Sequence, residues 1–227
     1  MQAFSPKAVC LQKPLDMHIK SFTFNPFSEN TYVLSDATGE CVIIDPGCAN
    51  ADERLELMSY LQDNKLKPVK LLNTHCHIDH VLGNKWVANT FGLGLEMHEL
   101  DLPMLDALMD VARMYGVPAE PSPAPAKFIN EGQSIVFGST TLDIFFTPGH
   151  SPGSVVFFNK ETKQLIAGDV LFYESIGRTD LPGGEHQTLL NSIRQKLWPL
   201  PDETVVHPGH GPSTTIGHEK THNPFLQ

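Results

Sequence analysis

The stretch that decides the fold is Thr74-His75-Cys76-His77-Ile78-Asp79-His80, which carries four metal-capable side chains in the pattern H-x-H-x-D-H. Three imidazoles and a carboxylate this close together are costly to bury unless a divalent cation neutralises the cluster. His75 and His77 can face one cation, while Asp79 and His80 face another. The spacing therefore predicts a metal centre and favours two ions over one.

The motif lies between a predicted strand and a predicted helix. Residues 67–73 form a short β-rich run before it, and residues 81–91 after it can be helical. Loops held by a rigid scaffold commonly carry functional side chains. Cys76 lies between two of the histidines, but alternate residues of an extended segment share a face, so we expect its thiol to point away from them.

Three later segments repeat the arrangement of strand, turn and candidate ligand. Each candidate follows an apolar run: His150 after 142–146, Asp169 after 164–166 and His210 after 204–206. Proline and glycine around the two histidines favour tight turns that present one side chain. A carboxylate has two oxygens, so Asp169 could bridge two cations. Three such turns are much harder to obtain by chance than one.

From about Met17 onward, the chain resembles the metallo-β-lactamase superfamily. The resemblance depends on the 75–80 motif together with Asp45-Pro46-Gly47, His150, Asp169 and His210. It implies an α/β fold, the αββα sandwich, in which two mixed β-sheets are flanked by helices. The metals would then lie at one edge, between the two sheets.

The resemblance also implies how the candidate ligands divide. The first metal takes His75, His77 and His150, the second takes Asp79, His80 and His210, and Asp169 bridges both together with a hydroxide. Zinc is the expected metal, with iron or manganese as alternatives, because His and Asp ligands accept all three. Asp45 is expected to support a ligand loop without binding metal, and a simple turn aspartate is the alternative.

A narrower resemblance is to the short, single-domain hydrolases that are similar to glyoxalase II. It comes from the stretches 168–172, 175–184 and 216–225. It implies hydrolysis of small thioesters such as S-D-lactoylglutathione, with a metal-bridging hydroxide as nucleophile and with Asp79 and Asp169 as the catalytic carboxylates. The larger glyoxalase II enzymes have an added helical domain that supplies much of the glutathione site. The resemblance therefore supports thioester hydrolysis better than it supports glutathione specificity.

Arg178 is the candidate substrate-binding residue. It lies in a glycine-bounded loop shortly after Asp169, where a guanidinium could pair with a substrate carboxylate. The alternative is an ion pair between Arg178 and Asp180 that stiffens the loop. The two interpretations are compatible.

Other reactions on the same fold remain alternatives. Persulfide dioxygenases share the His and Asp set but use a single iron, for which His75, His150 and Asp169 would be the ligands. The runs 170–172 and 181–184 favour the hydrolase. Lactone or β-lactam hydrolysis by the same centre is a further alternative. A nuclease is less well supported because the chain is acidic. A non-catalytic binding module is less well supported because the set of candidate metal ligands is complete.

Composition sets wider limits. The chain has 227 residues and a formal net charge of −10, which argues against nucleic acid as the main substrate. No apolar run approaches the ~20 residues of a membrane span. The four cysteines form no C-x-x-C pair, and we interpret them as reduced thiols in a cytoplasmic protein. Residues 1–16 are predicted to be a poorly ordered extension and 17–227 the catalytic domain; the oligomeric state is not predicted.

The alternation of apolar and polar residues predicts the order of the elements. Strands are expected at 19–24, 31–34, 41–44, 69–73, 134–137, 141–146, 155–158, 164–166 and, last, 204–206. Helices are expected at 50–64, 81–91, 99–115 and 186–198, and an extended linker at 121–125. The Met- and Leu-rich stretch 102–115 could form a lid or a dimer surface, although ordinary helix packing is the default.

Overall fold

The computed structural model describes residues 17–227. The predicted extension 1–16 lies outside the described residues. The first part of the chain forms a six-stranded mixed sheet whose spatial order follows the sequence: β1 (His18–Phe24), β2 (Glu29–Ser35), β3 (Glu40–Ile44), β4 (Lys67–Leu72), β5 (Leu95–Met97) and β6 (Pro125–Phe128). The first three strands are antiparallel, and β3 to β6 are parallel.

The second part forms a second six-stranded mixed sheet and a separate hairpin. The strands are β7 (Ser134–Phe137), β8 (Thr140–Phe146), β9 (Val155–Asn159), β10 (Gln164–Gly168), the hairpin β11 (Leu171–Phe172) and β12 (Ser175–Ile176), then β13 (Val205–Pro208) and β14 (Thr214–Thr215). The sheet order is β14-β13-β10-β9-β8-β7, with only β10 and β13 parallel.

Within residues 17–227, seven α-helices connect and cover the sheets. They are α1 (Ala51–Asp63), α2 (Ile78–Val81), α3 (Asn84–Phe91), α4 (Leu102–Asp106), α5 (Leu108–Tyr115), α6 (His186–Ser192) and α7 (Ile216–His222). A 3-10 turn at Glu99–Asp101 precedes α4, and a π-helical turn at Ile193–Leu197 extends α6.

The alternation of side chains along the strands creates four layers. Val33 and Ile43 point from the first sheet toward α1, α3 and α5, whereas Leu34 and Ile44 point toward the second sheet. In the second sheet, Phe157 faces the inter-sheet core and its neighbours face α6 and α7. Helices therefore cover both outer faces of a two-sheet core, which confirms the predicted αββα sandwich of two mixed sheets.

Several predicted boundaries are wrong for identifiable reasons. The helix predicted at 81–91 is interrupted at Gly83, whose N–H donates to Pro46 O at 2.7 Å and whose missing side chain permits this close approach. Residues 125–128, assigned in part to a linker, form the edge strand β6, where a proline at the first position is tolerated. The run 204–206 is not the last strand, since β14 pairs with it.

Two further predictions concern the chain as a whole. Of the described residues, Cys41, Cys48 and Cys76 are free and buried, as expected of reduced thiols. None of the helices in the described part of the chain combines the length and apolar character that crossing a bilayer requires.

Candidate metal centre

Loops at the ends of strands in both sheets bring the predicted ligands together. His75 and His77 lie in the loop after β4, and Asp79 and His80 lie in the first turn of α2. The other three follow strands of the second sheet, His150 after β8, Asp169 after β10 and His210 after β13. The seven residues therefore meet at one edge of the sandwich, between the sheets.

Three histidines form the first cluster. The Nε2 atom of His150 lies 3.2 Å from Nε2 of His75 and 2.8 Å from Nδ1 of His77. The other ring nitrogen of His150 donates to the carbonyl oxygen of Arg178 at 2.8 Å. That hydrogen bond requires a proton on Nδ1, so in the neutral ring the Nε2 lone pair faces the cluster. The three ring nitrogens converge on one point, as the ligands of a metal ion do.

Asp79, His80 and His210 form the second cluster. Oδ2 of Asp79 lies 3.1 Å from Nε2 of His210 and 3.7 Å from Nε2 of His80. The outer nitrogen of His210 is 3.2 Å from the carbonyl oxygen of Ser28, which fixes the ring from behind.

Asp169 lies between the two clusters. Its Oδ2 is 3.5 Å from Nε2 of His150 and 3.4 Å from Nε2 of His210, and its Oδ1 is 3.5 Å from Nε2 of His80. A side chain at the position of Gly209 would overlap Asp169 and His80, so only glycine permits this approach. One carboxylate thus reaches both groups of candidate ligands.

The donor set fits divalent cations. His80 Nε2 and Asp169 Oδ1 are both buried, and neither has a hydrogen-bond partner among the described residues. Buried polar atoms without partners are costly, and a cation between the clusters would satisfy both. Imidazole nitrogens and carboxylate oxygens are the ligands that zinc, iron and manganese accept.

The pKa values of the histidines differ between the two clusters. Burial, reinforced by the charges of His80 and His150, holds the pKa of His75 well below its usual range. Burial and the charge of His150 lower the pKa of His77 to about 3. These two rings are therefore neutral at physiological pH, which is the form that binds metal.

The second cluster attracts positive charge. Burial opposes ionisation of Asp169, but His80, His210 and His150 more than reverse that effect and hold its pKa well below the usual value. Burial lowers the pKa of His210, yet its hydrogen bonds to Asp169 and Asp79 raise it to about 10. The two carboxylates therefore favour a cation at this point, whether it is a proton or a metal ion.

The carboxylate of Asp45 contacts both the ligand loop, at Thr74, and the second cluster, at His80. Its Oδ1 accepts from the backbone N–H of Thr74 at 2.7 Å, and its Oδ2 accepts from the Thr74 hydroxyl at 2.5 Å and lies 3.1 Å from Nδ1 of His80. Asp45 has a positive φ of 50°, and in this conformation its carboxylate contacts the backbone and side chain of Thr74 in the ligand loop. These contacts fit the expected role of a carboxylate that supports a ligand loop, although one Asp45 oxygen also lies within 4.8 Å of ring nitrogens of His75 and His80, so the role stays a prediction.

The structure shows the ion pair of Arg178 with Asp180, whereas contact of Arg178 with substrate stays a prediction. Its guanidinium makes a bidentate pair with Asp180, with both N–O distances 2.7 Å, and it also lies on the wall of the cavity beside the centre. Its carbonyl oxygen fixes the ring of His150. Cys76 is directed into the core instead, with its sulfur 3.6 Å from that of Met97.

Two buried carboxylates near the centre were missed by the sequence analysis. Glu29 is fully buried, its Oε1 lies 3.9 Å from Nδ1 of His80, and burial raises its pKa well above the usual value. Asp101 accepts hydrogen bonds from Cys76, Ser151 and Gly153, which belong to the loops of His75 and His150. Neither carboxylate belongs to a recognisable motif, since their partners are distant in sequence.

Comparisons with known proteins bear on this geometry. The model of the family described as the metallo-beta-lactamase superfamily matches residues 24–210. The hydroxyacylglutathione hydrolase GloC of Haemophilus influenzae is 36% identical over 212 residues, which cover 92% of this chain and 98% of that protein.

Two solved structures are also similar. One is BLEG-1, described as a B3 metallo-beta-lactamase, with a TM-score of 0.85 and 40% identity, covering 92% of this chain and 100% of that one. The other is TTHA1623 in a di-iron-bound form, with a TM-score of 0.82 and 39% identity, covering 91% of this chain and 100% of that one.

Proposed function

Because the chain belongs to the metallo-beta-lactamase superfamily and is a metal-dependent hydrolase of that superfamily, we propose that it hydrolyses small thioesters such as S-D-lactoylglutathione. The observation that carries the proposal is the position of Asp169 within 3.5 Å of histidines from both clusters. The similarity to a hydroxyacylglutathione hydrolase supports the substrate class. In this proposal residues 17–227 are one catalytic domain.

In this proposal the seven predicted ligands would hold two divalent ions, with zinc as the expected metal. His75, His77 and His150 would hold the first, Asp79, His80 and His210 would hold the second, and Asp169 would contact both. When bound, two such cations lower the pKa of a water molecule toward neutrality and polarise a carbonyl oxygen. The similarity to TTHA1623, whose structure is described as di-iron-bound, supports a centre that holds two ions and makes iron an alternative to zinc.

The side chains of this protein contribute position and charge. Asp79 and Asp169 orient the attacking water between the clusters and accept its hydrogen bonds. The water gives up one proton to solvent, and its oxygen forms a bond to the thioester carbonyl carbon. The C–S bond then breaks, the sulfur leaves as a thiolate, and the acyl group is released as a carboxylic acid that loses its remaining proton to solvent. A thiolate is a good leaving group, so the reaction needs no dedicated general acid. Arg178, on the cavity wall, is placed to contact substrate.

A second candidate is β-lactam hydrolysis by the same residues. It is favoured by the 40% identity to BLEG-1, a protein described as a B3 metallo-beta-lactamase. Both reactions are attack on an acyl carbon, so the centre accommodates either. A mononuclear iron persulfide dioxygenase would use His75, His150 and Asp169 alone. The runs 170–172 and 181–184, together with the similarity to a hydroxyacylglutathione hydrolase, favour the hydrolase over this third possibility.

The test is thiol release from S-D-lactoylglutathione by the metal-loaded protein, alongside His77→Ala and His207→Ala. His207 is a matched control, because its ring nitrogens bond Gln164 and Ser213 away from the centre. Release that is lost in His77→Ala and retained in His207→Ala supports the proposal. Absence of release, combined with turnover of a chromogenic cephalosporin, would favour the β-lactam reaction. One iron per chain with oxygen uptake would favour the dioxygenase.

A further inference from the structure

The cavity beside the candidate centre has a wall formed by one helical stripe. The cavity has a volume of about 940 Å³ and opens onto His77, His150 and Asp169. From the 3-10 turn through α4 and α5, eight side chains line it, and each lies three or four residues from another of the set: Leu100, Pro103, Met104, Ala107, Leu108, Val111, Met114 and Tyr115. This spacing places them on one side of the helical segment, and all except Tyr115 are wholly apolar.

The same helical segment packs its other side on the core. Leu105 and Ala112 are buried among the residues between the helices and the first sheet. The segment therefore has two apolar sides, and the described part of the chain covers the cavity side only in part: Met104 and Val111 are half-buried against the core. On the cavity side, Leu100 is 48% exposed and Met114 is 75% exposed. Clustered apolar side chains at a cavity mouth mark a binding surface.

Aromatic side chains form the facing wall. Phe27, in the turn between β1 and β2, contacts the ring of Tyr115 edge to face with 5.6 Å between centroids. Phe172 of the hairpin also lines the cavity and lies 6.2 Å from the ring of His210. The apolar walls therefore continue down to the candidate ligands.

The walls offer little to a charged ligand. Apart from the candidate ligands, Arg178 is the one ionised side chain that the described residues contribute to the lining, and it is already paired with Asp180. Glutathione carries two carboxylates, an ammonium group and two peptide groups. Each such group would lose water here and would find few side-chain partners in return.

We propose that the preferred substrates are thioesters whose larger arm is apolar, and that this arm lies along the stripe formed by Leu100, Met104, Val111 and Met114. The proposal rests on the proposed thioesterase function. Methionine side chains adapt to ligands of different shape, so the stripe accommodates aliphatic and aromatic arms. The carbonyl carbon then lies at the candidate centre, while the arm extends toward the mouth of the cavity.

Two series of neutral thioesters test the proposal. The first varies the acyl group of N-acetylcysteamine thioesters from acetyl to hexanoyl, and the second keeps acetyl and lengthens the thiol from ethyl to hexyl. We expect kcat/KM to rise at least about tenfold along one series, because each buried methylene favours binding. The series that rises identifies the arm. Flat profiles in both series, with turnover intact, would overturn the proposal and leave the thioesterase function standing.

Exposed variants locate the binding surface. In the series that rises, Met114→Lys and Leu100→Lys should reduce the ratio of kcat/KM between the longest and the shortest member severalfold, whereas Leu55→Lys, at a 63% exposed leucine of α1 that does not line the cavity, should leave that ratio unchanged. If Met114→Lys instead dissociates a dimer in sedimentation and keeps the wild-type ratio, the stripe is a contact between copies and the proposal is wrong.

A binding measurement tests the apolar binding site separately from the thioesterase function. Non-hydrolysable S-hexyl and S-methyl thioethers of N-acetylcysteamine are titrated by calorimetry. We expect the hexyl compound to bind at least about tenfold more tightly, with a negative heat-capacity change. Such binding without turnover of any thioester would contradict the thioesterase function alone. Equal affinities would contradict the apolar site.

Discussion

The carboxylate of Asp101 accepts a hydrogen bond from the backbone N–H of Cys76, with 2.9 Å between Oδ2 and N, in the middle of the ligand motif. The same carboxylate accepts from the hydroxyl of Ser151 at 2.9 Å and from the N–H of Gly153 at 2.5 Å. One buried side chain at the start of the helical wall therefore fixes both loops that carry the three-histidine cluster.

Asp101→Asn should destabilise the protein and loosen the first cluster. An amide has one acceptor oxygen, so at least one of the two backbone donors would be left buried without a partner, at a cost of about 1–3 kcal/mol. Urea denaturation should show this loss, and chelator competition should show weaker metal retention. Asp106→Asn, an exposed aspartate of α4, is the control and should change neither quantity. Wild-type values for Asp101→Asn would contradict the role.

Asp45→Asn should weaken metal binding more than it affects stability. Asparagine tolerates the positive φ of this residue, so the backbone need not move. The amide oxygen can still accept from Thr74, but the negative charge facing His80 Nδ1 is removed. Partners of this kind typically contribute 10- to 100-fold to metal affinity. We expect a decrease in that range, measured by competition with a chromophoric chelator. An unchanged affinity, equal to that of the exposed control Asp63→Asn, would show that Asp45 is a simple turn residue.

The sequence predicts the ligands because each lies in a local pattern. A strand that ends in a Pro/Gly turn can be recognised within about ten residues, and His150 and His210 are found in this way. Asp101 and Glu29 could not be predicted. Asp101 lies 25 residues from Cys76 and 52 from Gly153, and only the packing of the helix against both loops makes it a shared acceptor.

The same distinction between local patterns and distant partners applies to the secondary structure. A long alternating strand such as β8 is predictable because its two faces contact different environments. The strands β5 and β14 have three and two residues, too few to show a period, and they form because a neighbouring strand supplies hydrogen-bonding partners. Helix α7 lies in the stretch 216–225, which contributes to the family resemblance but for which no helix was predicted.

Asp36 should make stability depend on acid pH. It is buried where the turn after β2 meets the turn before β8, and it accepts from the backbone N–H groups of Thr38 and Ser139 and from the hydroxyl of Thr140. Burial alone raises its pKa, but the hydrogen bonds more than reverse this and lower the pKa to about 2. The unfolded value is near 3.9, so the charged form contributes about 2 kcal/mol to the free energy of unfolding.

That contribution should be complete above about pH 4 and lost as the pH falls through about 2, because the folded pKa is the lower one. The wild type should therefore exceed Asp36→Asn in free energy of unfolding at pH 6, and the difference should shrink toward pH 2. Chemical denaturation at several pH values measures it. A difference that stays constant between pH 6 and pH 2 would mean that the charge of Asp36 is not the source.

The pair of Arg178 and Asp180 allows substrate binding and loop stiffening to be separated. Both side chains are exposed, so neither substitution should disturb folding. In Arg178→Ala the guanidinium is removed, whereas in Asp180→Asn it remains and loses its bidentate partner. The substrates are S-D-lactoylglutathione, which carries carboxylates, and the neutral N-acetylcysteamine thioester of lactate.

If Arg178 pairs with a substrate carboxylate, the two variants should act in opposite directions. Arg178→Ala should raise KM for the glutathione thioester about tenfold with its metal content unchanged, because a charge-assisted hydrogen bond is lost. Asp180→Asn should lower that KM, since the guanidinium no longer has to leave Asp180 to reach the substrate. The neutral thioester should respond to neither. If the ion pair only stiffens the loop, both variants should impair both substrates alike, because each variant removes the same contact. An unchanged KM for the glutathione thioester in Arg178→Ala would rule out pairing with the substrate.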